Sequence, residues 1–208
     1  MTQIASKTIR IAQTQDAQDI LDIYAPYITD TAITFTSTLP QIQDVQKKME
    51  NIKTGYPYLV CTIDDKVVGF AFADLYKSHD AYQWNTELSV YVDPRFHGRG
   101  IATALYTALF QILKTQGFYN FYALITLPND ASIALHRHFG FKELAVHKQD
   151  GYKMGAWRDV LWMVYRNEGA EGAEDPGESR APVPFSKLRE SQVQTALRLS
   201  TALLQGVR

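Results

Sequence analysis

Apolar positions along the chain follow two periods, and each stretch of one period predicts an element. Residues 8–12 alternate weakly, as a short strand does, and from Asp16 onward Ile20, Leu21, Ile23 and Tyr24 fall at helical spacing. A second helix is predicted over residues 41–52. Two apolar runs, 58–63 and 67–73, are separated by Asp64, Asp65 and Lys66, which is hairpin spacing, so they are expected to pair antiparallel. Residues 87–92 (ELSVYV) read as a further strand closed by Asp93-Pro94. Residues 98–115 read as a helix, with Leu105, Leu109, Ile112 and Leu113 on one side. Another strand is predicted over 121–126, a short helix over 131–138, and a last pair of strands over 141–147 and 159–165. A meander followed by a β-α-β crossover predicts an α/β fold with a mixed sheet covered by helices, not a purely parallel one.

The aromatic-rich body ends near residue 167, where Gly, Pro, Glu and Ala become dense. Three regions are therefore expected: a folded domain over 1–167, a linker over 168–185, and an amphipathic helix over 186–208 carrying Val193, Ala196, Leu197, Leu203 and Leu204. A lone helix cannot bury such a stripe, so it is expected to dock or to remain poorly ordered. The 208 residues are 46% hydrophobic, ample for one core, with 21 Lys+Arg against 22 Asp+Glu, a net charge of −1. Near-neutrality argues against a nucleic-acid partner. No apolar run approaches the roughly 20 residues needed to cross a bilayer, so no membrane partner is expected and the cytoplasm is the expected location. The single cysteine, Cys61, suits a reducing compartment, forms no internal disulfide, and is read as a buried packing residue; no Cys-rich metal site is available.

The segment Val90-Tyr-Val-Asp-Pro-Arg-Phe-His-Gly-Arg-Gly-Ile-Ala102 is the informative one, because a strand runs into a glycine-bearing turn that opens a helix. Such a turn presents free backbone N–H groups at the positive end of the helix dipole, where a phosphate binds well. Gly98 and Gly100 let the anion approach the main chain, and Arg95 and Arg99 offer charge-assisted hydrogen bonds. Neither a Gly-Lys-Ser/Thr phosphate loop nor a three-glycine dinucleotide fingerprint is present.

The spacing of Arg95, Gly98, Gly100 and Ala102 directly after a strand resembles the acyl-CoA motif of the GNAT N-acetyltransferase superfamily. The run from Asn129 to Phe141 (NDASIALHRHFGF) resembles that superfamily's second signature. Ala81-Tyr-Gln-Trp84 before Thr86-Glu-Leu-Ser-Val-Tyr-Val92, then Leu127-Pro-Asn-Asp130 and Gly151-Tyr-Lys-Met-Gly-Ala-Trp-Arg-Asp159, is similar to the phosphinothricin and methionine sulfone or sulfoximine N-acetyltransferases. The resemblance spans residues 9–166. It implies a mainly antiparallel sheet with a β-α-β acyl-CoA core, acetyl-CoA as co-substrate without a metal, and a homodimer. The implied reaction is acetylation of the α-amine of a small amino-acid-like acceptor.

The resemblance also implies residue roles. The amine must be neutral to attack a thioester, and Glu87 falls in the general-base position, with Phe35, Tyr82 and Trp84 expected to bury it and raise its pKa. The main chain of Val90, Tyr91 and Val92 would pair with the pantetheine arm, and Gly98, Arg99, Gly100, Ile101, Ala102 and Thr103 would cradle the pyrophosphate. Asn129 would contact the far arm of the cofactor, or cap a helix, or both. His136 stands where many members carry a tyrosine that protonates the departing thiolate; a histidine can donate there, or simply pack. Lys77 falls where related enzymes carry an arginine for the acceptor's anionic group, and Phe35 lies in the loop over the acceptor. Lys77 and His79 lean toward an anionic acceptor. Other acceptors (an aminoglycoside, a polyamine, a protein N-terminus) and a non-catalytic acyl-CoA sensor are the competing readings.

Overall fold

In the computed structural model, residues 6–168 and 180–205 are described. Seven strands form one sheet in the order β1-β2-β3-β4-β5-β7-β6: β1 Lys7–Ile11, β2 Tyr58–Ile63, β3 Lys66–Leu75, β4 Asn85–Val92, β5 Asn120–Thr126, β6 Lys142–Lys153 and β7 Ala156–Arg166. Every pairing is antiparallel except β4 with β5. The helices are α1 Ala17–Thr29, α2 Ile42–Gly55, α3 Ile101–Gln116, α4 Asp130–His138 and α5 Glu190–Gln205. This is the mixed, mainly antiparallel α/β fold expected.

The central strand β3 is buried on both faces, which is why its sequence reads as a continuous apolar run. Val68, Ala71 and Ala73 belong to the core under α3, while Val67, Phe70 and Phe72 belong to a second core under α1 and α2. Gly69 sits where α3 begins. A Cβ there would lie 3.1 Å from the Ile101 side chain and 3.2 Å from the Tyr91 carbonyl, so the missing side chain lets the first turn of α3 rest against the sheet.

Two boundaries differ from the sequence expectation. α3 begins at Ile101 instead of residue 98, because Gly98 and Gly100 take left-handed φ values of 73° and 69° that no helix interior uses. The last two strands are longer than 141–147 and 159–165, reaching Lys153 and Ala156 around a turn at Met154 and Gly155. A register shift between His147 and Gly151, with Gln149 at φ 52°, breaks the alternation that would have revealed them.

Beyond the body, residues 169–179 of the expected linker lie outside the described residues. Residues 180–185 are packed: the Val183 N–H donates to Gln116 O (2.7 Å), Gln116 Nε2 donates to Val183 O (2.8 Å), and Phe185 is buried. α5 docks with Val193, Ala196, Leu197 and Leu204 in the α3 core.

Candidate active site

The one parallel pairing is short. β4 and β5 match only at Asn85↔Asn120, Thr86↔Phe121 and Glu87↔Tyr122. Beyond Glu87, β4 stays on β3 as far as Val92, and β5 stays on β7 as far as Thr126, so the two strands part. The gap is a cavity of about 580 Å³, walled by residues 88–92 on one side and 123–126 on the other. Backbone groups on the free edge of β4 face it and can pair with an extended ligand. Val92 contributes less than expected, because its carbonyl already accepts hydrogen bonds from the Tyr27 hydroxyl (2.6 Å) and from His97 Nε2 (3.0 Å).

At one end of the cavity stands the start of α3. Gly98, Gly100, Ile101, Ala102 and Thr103 all line it. Gly100 is the N-cap and offers no side chain, and the first helical bond is the Ala104 N–H to Gly100 O at 2.9 Å, leaving the amides of Ile101, Ala102 and Thr103 without intrahelical partners. The donor set fits a diphosphate. The two arginines behave otherwise than expected. Arg95 Nε is engaged by both carboxylate oxygens of Asp93 (3.0 and 3.1 Å), and Arg99 lies over the Phe96 ring at 5.1 Å. Both are exposed and neither lines the cavity.

The opposite wall comes from α4 and α3. Asn129 caps α4, its Oδ1 accepting the Ser132 N–H at 3.2 Å, and it also lines the cavity, so both of its expected uses are sterically open. His136 is only 3% exposed. Its Nδ1 lies 2.7 Å from the Ser132 carbonyl, which can only accept, so Nδ1 carries the proton. Nε2 then presents a lone pair to the Tyr106 hydroxyl at 2.9 Å. Burial lowers the imidazole pKa, against the Ser132 bond that raises it. His136 is thus neutral at pH 7 and shows the cavity no proton of its own. Tyr106, also in the cavity wall, holds its proton because burial, then the Glu87 charge, raises its pKa. Tyr106 sits among the apolar residues of α3 and reads in the sequence as core, so no linear signal marks it.

Glu87 is the last paired residue of β4 before the strands part. Burial raises its pKa above the ordinary carboxylate value, and the Asp74 carboxylate directly across on β3 raises it further; Lys48 on α2 pulls the other way. Of the aromatic residues expected around Glu87, Tyr82 belongs to a cluster with Tyr76, which stacks on Tyr122, the residue paired with Glu87 on β5. Tyr82 lies with Tyr76 and exposed Lys77, whose ammonium is 5.0 Å from both rings. Trp84 Nε1 donates to the Arg180 carbonyl at 3.0 Å. Phe35 packs on Gly151 so closely that a Cβ there would fall 2.3 Å from its ring. Glu87, Tyr82, Trp84, Lys77 and Phe35 do not line the cavity, whereas Leu88, next to Glu87, and Ile33, in the loop of Phe35, do. Cys61 is buried and its thiol pKa is pushed up to about 12 by desolvation, so it is no nucleophile. Among the described residues no group of His, Cys, Asp or Glu could hold a metal ion, and no helix is long and apolar enough to cross a membrane.

Comparison with known proteins agrees with this geometry. Residues 9–162 match the acetyltransferase (GNAT) domain. A phosphinothricin N-acetyltransferase of Streptomyces viridochromogenes is 35% identical over 152 residues, covering 73% of this chain and 83% of that protein. An L-methionine sulfoximine/L-methionine sulfone acetyltransferase of Salmonella typhimurium is 32% identical over 157 residues, 75% of this chain and 92% of that protein. The crystal structure of a phosphinothricin acetyltransferase from Sinorhizobium meliloti in complex with acetyl-CoA superposes with a TM-score of 0.75 at 31% identity, covering 84% of this chain and 99% of that one.

Proposed function

The chain belongs to the GNAT acetyltransferase family, as an enzyme of the phosphinothricin/methionine sulfoximine acetyltransferase type, and from that premise we propose that it moves the acetyl group of acetyl-CoA to the α-amine of a small amino-acid-like acceptor. The acceptors we assign are of the phosphinothricin, methionine sulfone and methionine sulfoximine kind. The observation that carries this reading is the parting of β4 from β5 immediately after Glu87, so that the wall of the cavity that reaches the α3 amides starts at the next residue, Leu88.

An α-amino group with a pKa of about 8 is mostly protonated at pH 7 and cannot attack a thioester in that form. Glu87 takes the proton, directly or through one water, and its raised pKa brings it nearer to that of the amine it must relieve. The free edge of residues 88–91 holds the pantetheine arm, the amides of residues 101–103 hold the diphosphate, and Asn129 contacts the far arm. The one proton of the Tyr106 hydroxyl is given to His136 Nε2, so neither residue offers a proton to the departing thiolate, which with a thiol pKa of about 8.5 leaves without a dedicated acid. Arg95 and Arg99 then act as surface charges near the diphosphate, and Phe35 as a wedge that holds the acceptor loop against β6.

We further assign the enzyme to the cytoplasm and to a homodimer. Leu144, Val146, Tyr152, Met154 and Trp157 on the β6–β7 hairpin are exposed apolar residues, and a second copy of the chain is the partner we place on them.

The test is thiol release from acetyl-CoA with phosphinothricin, methionine sulfone, methionine sulfoximine, ordinary amino acids, polyamines and aminoglycosides as acceptors. Turnover with the methionine-derived group and phosphinothricin is expected. Turnover confined to polyamines or aminoglycosides contradicts the acceptor assignment, and no release with any amine favours the acyl-CoA sensor.

A further inference from the structure

Backbone amides that bind an anion aim only as well as the turn carrying them is held. The turn before α3 has little of its own to hold it. Gly98 and Gly100, at φ 73° and 69°, give it its shape but are the residues with the greatest conformational freedom. Among the described residues none accepts a hydrogen bond from the N–H of Gly98, Arg99 or Gly100, so these amides stay open beside those of residues 101–103. Arg99 is exposed, with its guanidinium over the Phe96 ring. Of residues 97–100, His97 is the one whose side chain forms hydrogen bonds.

His97 Nε2 lies 2.9 Å from the Tyr27 hydroxyl and 3.0 Å from the Val92 carbonyl, and the same hydroxyl donates to that carbonyl at 2.6 Å. The protons of this triangle follow from its chemistry. Val92 O only accepts, and Tyr27 gives it the single proton of its hydroxyl. A bare Nε2 would then face two oxygens with no proton between, so Nε2 carries one and shares it with both. His97 is therefore a donor at Nε2, whatever the state of Nδ1. The three corners belong to different parts of the fold: Val92 ends β4, Tyr27 lies in the last turn of α1, and His97 directly precedes Gly98. All three line the cavity. The chain entering the turn is fixed as well, since the Asp93 N–H donates to the Val68 carbonyl of β3 at 2.9 Å.

We propose that His97 is a positioning residue for the diphosphate: through Nε2 it ties the glycine turn to Val92 and Tyr27, and so holds the amides of the turn in place before the cofactor arrives. Donors fixed in advance lose less freedom on binding, which strengthens the grip on the anion. This rests on the reading of the α3 start as the diphosphate site.

The experiment measures, by calorimetry on the full-length protein, the Kd for coenzyme A and for pantetheine, which keeps the thiol and the arm but lacks the diphosphate; pantetheine is read by displacement with coenzyme A. The proteins compared are the unsubstituted enzyme, His97→Leu and Tyr27→Phe. The unsubstituted enzyme is expected to bind coenzyme A more tightly than pantetheine. In each variant that preference is expected to fall about 3- to 10-fold, the scale of one lost hydrogen bond. A preference that stays in place in both variants overturns the proposal. So do equal losses on the two ligands, which would mean that the triangle only supports the fold. Tyr27→Phe removes a single oxygen, so the comparison stands even if His97→Leu fails to fold. An unsubstituted enzyme that binds the two ligands equally, or neither, overturns the diphosphate reading and this inference with it. The variant outcomes leave that reading intact, which separates the two failures.

Discussion

At the residue scale, the proposed base is one of two carboxylates that stand side by side in the sheet. Asp74 and Glu87 face each other across β3 and β4, and a like charge at such range favours protonation of its neighbour. In the proposed role Glu87 accepts a proton only when ionised, so the rate is expected to fall as pH drops through its raised pKa. Asp74→Asn removes one negative charge and lowers that pKa, so activity is expected to persist to lower pH. The measurement is the acidic limb of kcat/KM; a limb that stays in place or moves upward contradicts the assigned coupling. The Glu87 role was legible in the sequence only through the resemblance, and its tuning by Asp74 was not, since register between two strands is a property of the folded sheet. Arg95 shows the converse, a partner that linear reading does not reveal. Read linearly it is a phosphate ligand, whereas in the fold its guanidinium pairs with Asp93, two residues earlier.

Among the elements, α3 and α5 were read from periodicity with different success. The apolar side of α3 was visible because Leu105, Leu109 and Leu113 repeat every fourth residue, yet its start was misplaced since glycine is silent in a hydrophobic pattern and speaks only through φ. α5 was recognisable as amphipathic, but what it covers was not. It lies on α3 and on β1, where Thr201 Oγ1 accepts the Ile9 N–H at 2.9 Å and Gln205 Nε2 donates to the Lys7 carbonyl at 3.2 Å. Leu197, 4% exposed, sits in that contact. Leu197→Ala is expected to cost about 2–5 kcal/mol in denaturant unfolding, the range for emptying a well-packed leucine site. A loss within experimental error of zero would mean that α5 is separable from the domain.

For the whole molecule, the sheet has two edges treated differently. β1 is covered by α5, while β6 at the other end has most of its residues exposed, with Leu144 and Val146 among them. An open, apolar edge strand is an association surface unless something covers it. The expected outcome in sedimentation equilibrium is a particle of twice the 23.6 kDa chain mass, reduced to a monomer by paired Leu144→Lys and Val146→Lys substitutions. A monomer for the unsubstituted protein contradicts the dimer. The strand order behind this asymmetry lay beyond sequence reading, for periodicity finds strands but not their neighbours.

The most direct test of the account is the pH dependence of acetyl transfer to methionine sulfone by the unsubstituted enzyme and by Glu87→Gln. With Glu87 as the base, the variant is expected to lose about 10²–10⁴-fold at neutral pH. It should recover part of that rate in alkaline solution, where the amine deprotonates unaided. A Glu87→Gln enzyme that keeps the full neutral-pH rate would contradict the account.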